Sequence, residues 1–119
     1  MPQTDKTLFN DLPAGTEPFP NAETAWFWCV ETSEALHSGA RLRAGMGRVS
    51  RPCEPVDIQN VILRLARQQL LNDAHLRTLA SYGQRQLRPA QDTNQSDAHL
   101  WHQALNRMTP VLQRKGIIA

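Results

Sequence analysis

Apolar side chains recur at intervals of three and four residues in four separate stretches of this chain, the repeat of a helix with one buried face. In the first, Ala22, Ala25, Trp26, Cys29, Val30 and Leu36 follow that spacing. Asn21 precedes them as a capping side chain, and Glu23 sits where the helix dipole favours an acid. Gly39 supplies a stop, so the pattern predicts a helix over 22–38. Phe27 and Trp28 widen its apolar surface beyond one stripe, which makes it either central to the core or part of a partner interface.

The second stretch is the most regular. Pro55 suits a first helical position, Asp57 lies in the first turn, and Ile58, Val61, Ile62, Leu65 and Ala66 share a face over 55–69. Asn72 then caps a third helix over 73–82, with Leu76, Leu79 and Ala80 inward and Gly83 just beyond its end. So short a connection, Gln69 to Asn72, joins either an antiparallel helical hairpin or a helix-turn-helix. The fourth helix, predicted over 97–115 behind Ser96 and Asp97, presents Leu100, Trp101, Ala104, Leu105, Met108, Val111 and Leu112. Pro110 should kink or break it, and Gly116 with Ile117 fits a closing Schellman motif.

What remains between these stretches is rich in proline, glycine and polar residues, and no run alternates as a strand would. The fold class is therefore all-α: a small four-helix orthogonal domain over 21–119, with an extended acidic N-terminal arm over 1–20. At 119 residues one core is expected, formed by Trp26, Val61, Leu65, Leu79, Trp101, Leu105 and Met108.

Charge changes this picture because it is unevenly distributed. Residues 1–34 hold one base and six acids, while residues 35–119 hold twelve bases and five acids. Eleven of the thirteen bases are arginine, the side chain best suited to bidentate contacts with phosphate. A basic body with an acidic arm is compatible with a polyanionic partner. No window approaches the roughly 18 apolar residues of a membrane span, and the start MPQTDKTLFN lacks the pattern of a secretory leader, so a cytoplasmic protein is expected.

Candidate chemistry is sparse. Cys29 and Cys53 form no CxxC pair, His99 and His102 are a single pair three residues apart, and no nucleophile elbow, phosphate loop or dinucleotide fingerprint is present. No catalytic residue, metal or cofactor is assigned, and the chain is not expected to be an enzyme. Arginine is the one functional signal. If helices 55–69 and 73–82 form a helix-turn-helix-like pair, the second would face bases of DNA with His75, Arg77 and Thr78. Arg41, Arg43, Arg48, Arg51, Arg85 and Arg88 would flank it and reach phosphates of DNA or RNA. The expected function is thus a small nucleic-acid-binding regulator. The alternative is a helical adaptor that binds a partner protein through Trp26, Phe27 and Trp28.

Overall fold

The computed structural model describes residues 17–37 and 51–119. Four helices account for most of them: α1 (Ala22–His37), α2 (Pro55–Arg67), α3 (Asp73–Arg85) and α4 (Gln95–Arg114). Among the described residues there is no strand, only an isolated parallel bridge between Phe19 and Ile118. Gly39 and residues 1–16 of the expected arm lie outside the described residues.

The starts of the helices follow local chemistry. The Asn21 side chain accepts from the Thr24 amide at 2.8 Å, and Asp57 accepts from the Glu54 amide at 2.8 Å behind Pro55. Asn72 accepts from the His75 amide at 3.0 Å. For α4 the cap is Asn94 rather than Ser96, so the helix begins two residues earlier than the spacing predicts.

The ends share one device. At Gln69–Leu70, Gln86–Leu87 and Gly116–Ile117, a residue of positive φ is followed by an apolar one whose amide reaches back to the helix, to the carbonyls of Leu65, Tyr82 and Leu112 respectively. This confirms the Schellman motif expected at Gly116. It also explains why α3 runs past Gly83, its expected stop: Gln86 takes the left-handed position instead, at φ 56°. Gly83 is buried inside the helix, and a Cβ there would lie 2.8 Å from the Trp26 indole nitrogen, so the glycine serves close approach of α1 and α3. Nor does α4 break at Pro110. It continues to Arg114, and both Pro110 and Asn106, whose carbonyl loses its donor, are exposed and open to water.

Packing then fixes the topology. α1 and α4 touch each other and both other helices, whereas α2 and α3 do not approach one another, so α2 and α3 occupy opposite flanks of a central pair. Cys29 beside Pro55 and Ser33 beside Gln59 show α1 and α2 running in the same general direction. Tyr82 beside Asp97 and His75 beside Gln103 show α3 and α4 antiparallel. Trp101 lies at the centre, fully buried against Phe27 and Tyr82, with its indole N–H donating to Glu23 at 2.8 Å.

Of the expected core, Val61, Leu65, Leu79, Trp101, Leu105 and Met108 are buried, but Trp26 is only half-buried, with its indole N–H donating to the Leu79 carbonyl. The chain before α1 joins the same core. Phe19 is fully buried and its backbone is paired with Ile117 and Ala119, so residues 17–20 belong to the helical body.

Candidate nucleic-acid interface

The separation of α2 and α3 corrects the helix-turn-helix expectation first. In that motif the two helices pack on each other so that the second is presented to a groove; here each instead packs on α1 and α4. The antiparallel hairpin left open by the short turn is excluded for the same reason.

The buried face of α3 is also turned by about one residue from the expected one. His75 (2% exposed) and Thr78 (6% exposed) point inward with Leu79, Tyr82 and Gly83, while Leu76 is half-buried and Ala80 exposed. His75 and Thr78 therefore cannot face bases. Both are satisfied internally. His75 Nδ1 accepts from the Asn72 amide at 3.1 Å, which leaves its proton on Nε2 to donate to Gln103 Oε1 at 2.9 Å. Thr78 Oγ1 donates to the Ala74 carbonyl at 2.8 Å. Polar side chains so partnered can line a core, and simple apolar counting misses them.

The remaining predicted arginines divide. Arg41, Arg43 and Arg48 lie outside the described residues. Arg51 is half-buried, its guanidinium 4.3 Å from the Phe19 ring centroid while it donates to the Glu17 carbonyl. Arg85 lies over the Tyr82 ring and donates to Ser81 Oγ at 2.7 Å. Arg88 meets Glu23 at 2.6 Å in the one ion pair among the described residues. Arg77 is exposed beside a shallow hollow of about 250 Å³ that also contains Asp97.

The aromatic triplet is likewise occupied. Trp26 bonds to Leu79, Phe27 lies 5.5 Å from Trp101 between centroids, and Trp28 lies 5.1 Å from Phe19. All three are half-buried against the core.

A different set of cations is left available. Arg107 donates to the Leu70 carbonyl at 2.8 Å just past the end of α2, and Arg64 of α2 shares a surface hollow of about 390 Å³ with Lys115 just past the end of α4. These two contacts set α2 and α4 antiparallel. Arg64 and Arg67 form one row along α2, and Arg107, Arg114 and Lys115 form a second along α4, at the i, i+7 and i+8 positions of one face. All five are exposed, and none is in an ion pair among the described residues. One carboxylate, Asp57, lines the shared hollow, where it accepts from the Glu54 amide.

Composition alone did not reveal this band. Arg107, Arg114 and Lys115 sit in a stretch whose apolar face dominates the pattern. Their shared spacing was a usable signal, but its proximity to α2 was not visible in the sequence.

Other chemistry is weak. Burial pushes the Cys29 thiol up to about 11 against an opposing hydrogen bond from Ser33. Burial, with the nearby Asp57, Cys29 and Glu54 charges, pushes Cys53 up to about 12. Thiols held protonated in this way are poor nucleophiles. The Tyr82 hydroxyl is raised by its 2.6 Å hydrogen bond to Asp97, with burial adding to the effect. Among the described residues no group of three or more His, Cys, Asp or Glu side chains could hold a metal; His99 and His102 are exposed beside a hollow of about 650 Å³ lined by Gln91, Gln95 and Ser96. No helix among them is long and apolar enough to cross a membrane.

Comparison with protein-family models, with curated proteins and with solved structures finds no match to this chain.

Proposed function

We propose that the protein binds nucleic acid, gripping phosphates with Arg64, Arg67, Arg107, Arg114 and Lys115. The observation that carries this reading is the double row of exposed cations on α2 and α4 with no ion-pair partner among the described residues. Apart from the one Arg107 nitrogen that donates to the Leu70 carbonyl, the cations of this band keep their donors free for phosphate oxygens, and binding then releases condensed counterions. The role is one of binding rather than catalysis. The competing reading, a protein-binding module built on Trp26, Phe27 and Trp28, has less support because each ring already has a partner inside the fold.

The test is a fluorescence anisotropy titration with labelled nucleic acid between 50 and 200 mM salt, ranges over which phosphate binding changes steeply. The variant R107A/R114A should bind at least about ten-fold more weakly and lower the log–log salt slope by about two. R85A, whose guanidinium is already engaged, should bind like the parent. The reading fails if the parent shows no salt-sensitive binding at low ionic strength, or if R107A/R114A binds as the parent does.

A further inference from the structure

We infer that the nucleic acid this surface takes is a double helix rather than a single strand, an inference that rests on the proposed phosphate-binding role. The cations stand in two rows on two packed helices, whose axes are held roughly 8–10 Å apart in helix pairs of this kind. The spacing is set by the core beneath, where Ile58, Val61 and Leu65 of α2 and Leu105, Met108 and Leu112 of α4 are all buried. Two rows held at a fixed separation can each follow one of the two phosphate rows that border a groove, whereas a single strand offers one.

Charge density points the same way. From Arg107 to Lys115 the α4 row rises roughly 12 Å, at about 1.5 Å per residue. Over that length a double helix presents roughly seven phosphate charges and one of its strands about half as many. Five cations are fewer than the duplex offers and more than a single strand does, so only the duplex engages both rows at once.

The aromatic side chains give an independent argument. Proteins that hold single strands stack bases on exposed rings. The chain has three Phe, three Trp and one Tyr. Phe19, Tyr82 and Trp101 are buried, and Trp26, Phe27 and Trp28 are half-buried on α1. Phe9 lies outside the described residues. α2 has no aromatic residue, and the single one on α4 is the buried Trp101, so neither helix of the basic band carries an exposed ring on which a base could stack.

The experiment compares a labelled duplex of about 20 base pairs with an unpaired oligo-thymidine of equal length, by anisotropy across the same salt range. The duplex should bind at least about ten-fold more tightly, with a slope approaching −4.5 if all five cations engage. Removing one row, in R64A/R67A, should bring the ratio of duplex to single-strand affinity towards one, with circular dichroism confirming that the helices are retained. A single strand bound as tightly as the duplex, or a ratio that R64A/R67A leaves unchanged, overturns this inference while the phosphate-binding reading stands. If neither probe binds, the phosphate-binding reading itself fails.

Discussion

Arg85 and Arg88 on the α1–α3 side carry the same group as Arg64 and Arg114 on the α2–α4 side, in opposite circumstances. The first side is closed on itself: Arg88 holds Glu23, Glu23 accepts from Trp101, and Arg85 covers Tyr82, whose hydroxyl meets Asp97. The second side is aliphatic beneath and cationic above, with no ion pair among the described residues. A guanidinium committed to a carboxylate or an aromatic face has little left for a ligand, so the number of arginines says less about binding than where their donors already point.

The largest effect should come from the centre of the closed side. Trp101→Ala removes a fully buried indole and leaves Glu23 without its N–H partner, and should cost about 3–5 kcal/mol in urea denaturation. A loss under about 1 kcal/mol would mean that the two sides do not differ in how tightly they are built. Gly83→Ala tests the same side from α3. The helix gains propensity, but the new Cβ meets Trp26 at 2.8 Å and Val30 at 3.0 Å, so a net loss of about 1–3 kcal/mol is expected.

On the other side the sign should reverse. Gln69 ends α2 at φ 63°, where glycine is unstrained, so Gln69→Gly should raise stability by up to about 1 kcal/mol. The same change at Gln86 should gain less, because its side chain donates to the Phe27 carbonyl at 3.1 Å and ties α3 to α1. A smaller contrast is expected between arginines. Arg88→Ala removes the exposed partner of the mostly buried Glu23 and should cost about 1 kcal/mol, whereas Arg114→Ala should change stability by no more than about 0.5 kcal/mol. Equal losses at both positions would erase the distinction between engaged and free guanidinium groups.

Alkali should act on the interior of both. Cys29, Cys53 and Tyr82 all hold their protons more tightly when folded than in an ordinary environment. The unfolded chain therefore releases protons that the folded one keeps, and the part of stability linked to them, fully present below pH 9, falls as pH rises towards 11 to 12. Urea midpoints measured at pH 8 and pH 10 should decline accordingly, and less so in Cys53→Ser. A midpoint that does not fall would show that the thiols are not shielded.

Much of the fold could be read from the chain alone because helix formation is decided within a turn or two. Asn21, Pro55, Asp57 and Asn72 act on neighbours three or four residues away, and the Gly116–Ile117 closure spans a single turn. The same local rule misplaced the end of α3, since it assigned Gly83 the role that Gln86 performs. Which face of α3 turns inward, which arginines are spoken for, and whether α2 meets α3 depended on partners far along the chain: Arg88 and Glu23 are 65 residues apart, Trp101 and Glu23 are 78, and Arg107 and Leu70 are 37. Periodicity determines that a helix has a buried face. Only the packing of the four helices against one another decides which neighbour covers it, and therefore which cations remain free at the surface.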